Sequence, residues 1–147
     1  MMQNTTYGEH VLRSPIKSHA AERYKVYIVR DLNDFHKMST VRALTYMSEQ
    51  NCPYDEEFDG NDFVATHLLA ENNTGPVGTM RIRWFADFVK FERVCILPEH
   101  RGDGLAQLML GHAAELVGRK GFRRVLFHAQ ARLVDLWSHT LRSRCRE

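Results

Sequence analysis

The chain has few cysteines, and they are unpatterned. Cys52, Cys95 and Cys145 are odd in number and lack C-x-x-C spacing, which excludes a fully paired disulfide framework and a cysteine-built zinc site. Cys95 lies in an apolar run, so reduced thiols in a cytoplasmic protein are expected. No run of apolar residues approaches membrane-spanning length, and the polar N-terminus has no signal-peptide core, so no membrane partner is expected. An excess of one charge is also missing. Lys plus Arg total 20 against Asp plus Glu 18, a formal net charge of +2 that gives no argument for nucleic acid as a partner. The eight histidines include no H-E-x-x-H or other ligand spacing, so no metal is assigned and His100, His112 and His128 read as structural. Internal repeats are absent. At 147 residues the expectation is a single domain over 24–147 behind an N-terminal arm, 1–23.

What is present is organised around Val94–Ala106, VCILPEHRGDGLA. Val94, Cys95, Ile96 and Leu97 suit a buried strand, and Pro98 ends it because proline cannot donate to a ladder. Gly102 and Gly104 permit turn conformations closed to other residues. Leu105, Leu108, Met109, Ala113, Leu116 and Val117 then recur at helical spacing, so a helix begins near Gly104. Its first N–H groups have no intrahelical partners and sit at the positive end of the helix dipole. With Arg101 beside them they suit a pyrophosphate, which implies an anionic cofactor. Neither the G-x-x-x-x-G-K-[ST] of a nucleoside triphosphate loop nor the G-x-G-x-x-G of a dinucleotide fold is present; the pattern is R-x-x-G-x-A, at Arg101, Gly104 and Ala106.

The remaining chain reads as strand, helix, antiparallel meander, cradle helix, strand. Met1–Arg23 is polar and without a sustained period. Tyr24–Arg30 alternates as a first strand, and Asp31 or Asn33 caps a helix that runs to about Gln50 with Phe35, Met38, Val41 or Arg42, Thr45 and Tyr46 on one side. Asn51–Asp62 carries Asp55, Glu56, Glu57, Asp59 and Asp62 with no basic residue, and reads either as a solvated acidic turn or as a rim attracting a cationic amine. Ala65–Glu71 and Val77–Phe85 flank a hairpin turn, Asn72–Pro76, and Phe88–Leu97 is the fourth strand. After the cradle helix, Arg124–Ala129 is the fifth strand. A helix over Ala131 to about Thr140, with Leu133, Leu136 and Trp137 packing it down, and a basic tail from Arg142 complete the chain.

The R-x-x-G-x-A pattern between an apolar strand and an amphipathic helix resembles the acyl-coenzyme A signature of the GNAT acetyltransferases. The element order from Tyr24 to Trp137 is similar too. This resemblance implies an α+β fold, α/β in some schemes, with a central mixed, mostly antiparallel sheet flanked by helices. It implies acetyl-CoA, or another acyl-CoA, as cosubstrate and a small-molecule or peptide amine as acceptor. Cofactor contacts would fall on Val94, Cys95, Ile96, Arg101, Gly102, Asp103, Gly104, Leu105, Ala106 and Gln130, with the Val94 and Ile96 backbone N–H groups on the pantetheine and thioester. The pattern of the family's last two strands is missing: Gln130 and Trp137 stand where an Asn and a Tyr are usual, and Leu141–Arg142 replace a Gly-Phe. A looser similarity is to the acyl-homoserine lactone synthases. It lies in an R-x-x-x-Y-x-x-E-Q helix from Arg42, an E-x-D-x-x-D loop from Glu57 and a Thr-His-Leu-Leu strand from Thr66. That similarity implies either an acyl group longer than acetyl or an acceptor-binding role for Asp59 and Asp62.

Acyl transfer to an amine needs a base, a held oxyanion and a departing thiolate. By the period of two, Glu92 shares a strand face with Val94 and Ile96, and is the candidate general base; the competing reading is an ion pair with Arg81, Arg83 or Arg93. No phenol stands at the usual general-acid position, leaving Ser138, His139 and Tyr46 as substitutes. A different class of function is a non-catalytic acyl-CoA-binding or interaction module with a degenerate substrate side. Without further strands, the outer edge of the fifth strand would be open, which predicts a homodimer through that edge.

Overall fold

The structure is a computed structural model that describes residues 2–7 and 19–130, with side chains over 19–127. Its elements in chain order are β1 (Met2–Tyr7), α1 (His19–Arg23), β2 (Lys25–Ile28), α2 (Leu32–Arg42), α3 (Tyr54–Glu57), β3 (Thr66–Asn72), β4 (Gly75–Trp84), β5 (Val89–Ile96), α4 (Leu105–Arg119) and β6 (Val125–Gln130). The strands form one sheet in the order β1-β6-β5-β4-β3-β2. Every neighbouring pair is antiparallel except β5–β6, which is parallel because α4 carries the chain across between them.

Local chemistry accounts for most of these boundaries. Asp31 caps α2, its Oδ1 accepting the Asp34 N–H at 2.8 Å. Past Arg42 the helix widens into π-helical turns over Ala43–Glu49. In the β3–β4 hairpin Asn72 Oδ1 accepts the Thr74 N–H at 2.9 Å, and Gly75 takes the positive φ of +135°.

The two faces of the sheet differ in kind. Leu68, Met80, Ile82, Val89 and Phe91 pack on the apolar stripe of α4, Leu105, Leu108, Met109, Leu110, Ala113 and Val117. Each large side chain buried there contributes about 1.5–3 kcal/mol. Alternation turns Thr79, Arg81 and Arg83 to the opposite face, under α2, whose Met38, Val41 and Arg42 are buried.

Two expectations are corrected. Within the expected arm, residues 2–7 and 19–23 are structured: β1 pairs with β6 from Met2↔Gln130 to Tyr7↔Val125, and Ala20 in α1 is 2 % exposed within the main core. The sequence MQNTTY hides this strand because an edge strand is held by backbone hydrogen bonds and needs no apolar face. The outer edge of β6, expected to be open, is therefore covered by the same chain. Pairing with a second copy loses that motive. The helix expected over 131–140, with Trp137, Ser138 and His139, and the basic tail lie outside the described residues.

Candidate functional site

The site forms where β5 and β6 part. Their parallel ladder runs only from Val89↔Val125 to Phe91↔Phe127, so among the described residues the C-terminal half of β5 has no ladder partner on that side. The turn after β5 lies at this open end. A short 3₁₀ turn, Pro98–His100, leads to Gly102 at φ +83° and Gly104 at φ +82°, both in the left-handed region that favours glycine. Gly104 is the N-cap of α4, and the Leu108 N–H bonds its carbonyl at 3.1 Å. The N–H groups of Leu105, Ala106 and Gln107 thus precede the helical ladder and suit an anion. A Cβ placed on Gly102 would meet nothing within 4 Å, and one on Gly104 only the Ala20 Cβ at 3.8 Å. The glycines therefore serve backbone conformation and access for a ligand, not internal packing.

The cradle is braced from behind. Buried Tyr24 donates its hydroxyl to Asp103 Oδ2 at 3.0 Å and lies 3.0 Å from His100 Nδ1. Burial, then the hydrogen bond to Asp103, raises the Tyr24 pKa above that of an ordinary phenol. Asp103 also pairs with Arg23 at 3.2 Å. This bracing was not legible in the sequence, since Tyr24 and Asp103 are 79 positions apart. Arg101 is turned back onto the protein. Its Nε–H donates to the Ile96 carbonyl at 2.8 Å, and its Nη1 and Nη2 grip Glu49 at 2.9 and 2.7 Å. Arg101 thereby forms a clamp joining the cradle to the end of the π-helical turns.

Glu92 is not where the period of two places it. β4 and β5 pair Thr79↔Cys95 and Arg81↔Glu92, so Met80 alone stands opposite both Arg93 and Val94. The extra residue is a β-bulge, with Arg93 at φ +54°. It reverses the alternation: Phe91, Val94 and Ile96 contact the core under α4, while Glu92 faces Arg81 on the other side. Glu92 is 2 % exposed, its Oε2 bonded to Arg81 Nη2 at 2.8 Å and its Oε1 to Arg83 Nη1 at 3.2 Å. Burial would raise its carboxyl, but the bond to Arg81 overturns this and holds it below the usual range. A buried carboxylate held by two guanidiniums is poorly suited to accept a proton, which favours the ion-pair reading of Glu92.

Three carboxylates of the acidic loop, Glu57, Asp59 and Asp62, are tied to internal arginines, while Asp55 and Glu56 are exposed. Arg42, 0 % exposed, bonds Glu57 Oε1 and, at 2.6 Å, Asp62 Oδ1. Arg81, also 0 % exposed, bonds Asp59 through both Nη atoms at 2.9 Å and Asp62 at 3.0 Å. Arg93 pairs with Glu57 at 3.1 Å and Asp59 at 3.4 Å. Burial alone would raise Asp59 and Asp62; their bonds to Arg81 and Arg42 respectively bring both below the ordinary carboxylate range. Glu57 goes the other way, because burial outweighs Arg42 and Arg93. Asp59 and Asp62 are therefore engaged by internal arginines.

Of the other expected cofactor residues, Cys95 is buried on the α2 side with its thiol pushed up to about 12, an unreactive thiol. Gln130 ends β6 opposite Met2, and its side chain lies outside the described residues. Tyr46, carried by the π-helical turns, donates its hydroxyl to the Val94 carbonyl at 3.0 Å; burial raises its pKa well above the ordinary value. Among the described residues no group of His, Cys, Asp and Glu could hold a metal ion, and no helix is long and apolar enough to cross a membrane.

A sheet splayed between two parallel strands, with a glycine cradle and a helix N-terminus at its open end, suits a phosphate-bearing ligand. The chain belongs to the Acetyltransferase (GNAT) family, whose profile matches residues 28–138. It is 32% identical over 107 residues to a Bacillus subtilis (strain 168) protein named as a candidate acetyltransferase, covering 71% of this chain and 73% of that one. Among solved structures it is similar to a candidate N-acetyltransferase from Lactobacillus plantarum, with TM-score 0.74, 22% identity and coverage of 80% of this chain and 82% of that chain. It is also similar to an acyl-CoA N-acyltransferase from Pseudomonas aeruginosa, with TM-score 0.71, 24% identity and coverage of 79% and 86%. The expected family and fold are borne out.

Proposed function

We propose that this chain transfers an acetyl group from acetyl-CoA directly to the amine of a small molecule or peptide, as a cytoplasmic enzyme without nucleic-acid or membrane partners. The observation that carries the reading is the β5–β6 splay opening onto the Gly102–Gly104 cradle. The pyrophosphate would rest on the N–H groups of Gly102–Ala106, and the pantetheine would lie along the unpaired half of β5 beside Val94 and Ile96. That arrangement aims the thioester at the bulge, where backbone N–H groups can hold the developing oxyanion. The leaving thiol, with an unperturbed pKa of about 8.5, can depart without a dedicated acid. Glu92, locked by Arg81 and Arg83, is assigned to structure, so the acceptor amine would lose its proton to water. This differs from the non-catalytic module in one measurable respect. Thiol release from acetyl-CoA across a panel of amines, beside calorimetric binding of coenzyme A, tests it: turnover on at least one amine is expected. Tight binding with no turnover on any would leave only the binding module, and absence of binding would overturn both.

A further inference from the structure

The open side of β5 carries a feature the cradle does not explain. The Leu97 N–H bonds the Val77 carbonyl at 2.9 Å, toward β4. Peptide groups alternate sides along a strand, so the backbone groups of Ile96, and of Val94 two residues back, face the open side. Both of their carbonyls are already taken. Tyr46 donates its hydroxyl to the Val94 oxygen at 3.0 Å, and Arg101 donates Nε–H to the Ile96 oxygen at 2.8 Å. An edge whose acceptors are capped by side chains offers the incoming ligand its donors.

The cap on Val94 is elaborately held. Tyr46 reaches it from π-helical turns, which shift positions past Ala43 relative to a regular α-helix. The residue before Val94, Arg93, sits at φ +54°, a conformation costly for a side chain of its size. Its guanidinium is anchored to the Glu56 carbonyl at 2.8 Å and to the Glu57 and Asp59 carboxylates, and lies 6.0 Å from the centre of the Tyr46 ring. A strained bulge is thus pinned from two sides, at the point where the acyl group would arrive.

We propose that Tyr46 is a positioning residue for the acyl carbonyl: its hydroxyl occupies the Val94 oxygen and fixes the bulge so that the Val94 N–H meets the thioester oxygen. This rests on the acyl-CoA reading above. It makes Tyr46 neither acid nor base. The half-buried phenol keeps its proton, and its effect passes entirely through the backbone of β5.

The test is Tyr46→Phe in the full chain, which keeps the ring beside Arg93 and removes only the hydroxyl. Coenzyme A and acetyl-CoA are titrated separately by calorimetry, and the carbonyl stretch of bound acetyl-CoA, carbon-13 labelled at the carbonyl, is read by isotope-edited infrared difference. Coenzyme A should bind the variant within about twofold of the parent, while the preference for acetyl-CoA over coenzyme A falls about fivefold, the size of one ordinary hydrogen bond. The bound carbonyl stretch should move back toward its value in water. Equal preference and an equal stretch in a variant that still binds coenzyme A overturn the proposal. Failure of the parent to bind either compound overturns the acyl-CoA reading itself, a separate result. If the variant does not fold, the parent decides: the Val94 amide proton must shift between the coenzyme A and acetyl-CoA complexes, and no shift refutes the positioning role.

Discussion

Replacing Glu92 by Gln separates the two roles open to it. The carboxylate belongs to a largely buried set in which Arg42, Arg81, Arg83 and Arg93 face Glu57, Asp59, Asp62 and Glu92, with Asp59 at its exposed rim. The substitution leaves one guanidinium charge uncompensated beneath α2. Removing one partner of a buried pair costs about 3–5 kcal/mol in the general case. Here Arg81 keeps its bonds to Asp59 and Asp62, and glutamine keeps one acceptor oxygen for Arg81, so about 2–3 kcal/mol is expected. In a chain of this size that lowers Tm by about 5–10 °C. Urea and thermal unfolding measure the loss, and thiol release at saturating amine, well below the melting temperature, measures the rate. An ion-pair role predicts a clear loss of stability with the rate within about threefold of the parent. A rate drop of about 10²-fold with an unchanged urea midpoint would refute the structural assignment and restore Glu92 as the general base.

Acid should destabilise the protein through the same network. Asp59, Asp62 and Glu92 have carboxyl pKa values lowered by folding, so their contribution is complete above the unfolded values near about pH 4 and is lost as pH falls below them. Glu57, raised by burial, has the opposite sign, its stabilisation fading as pH rises through its folded value. Three groups against one predict a urea midpoint that falls steeply below about pH 4, and a flat profile there contradicts the network. Gly104→Val forces a β-branched residue to φ +82°, and Arg101→Ala frees the Ile96 carbonyl and Glu49; each should weaken coenzyme A binding at least about tenfold by calorimetry with the circular dichroism unchanged. Unchanged affinity in both would remove the cradle from the binding site. Deleting residues 1–7 exposes the β6 edge, so light scattering at micromolar concentration should report association and the β6 amides should lose exchange protection. A monomer with protected β6 amides would show that β1 is dispensable.

Local chemistry made much of the fold readable from the amino-acid order alone. Asp31 ahead of a helical period, Asn72–Pro76 between two alternating runs, and Gly102–Gly104 between an apolar strand and an amphipathic helix are signals within ten residues of one another, and the structure has an element at each. The cradle was legible for the same reason, because a helix N-terminus after a glycine turn is built from neighbours in sequence. The orientation of Glu92 was not. One extra residue at Arg93 is invisible to a period-two reading, yet it turns Glu92 away from the face of Val94 and Ile96. The pairing of Glu57, Asp59 and Asp62 was hidden because their cations, Arg42, Arg81 and Arg93, lie in other elements, 15 to 36 residues away. The cover on β6 came from a polar segment at the far end of the chain, recruited by backbone hydrogen bonds that leave no mark on side-chain pattern. Sequence determined the elements and the anion cradle, whose interactions are local. Only tertiary structure decided which charges neutralise one another and which side of β5 is open, since both depend on groups that folding alone brings together.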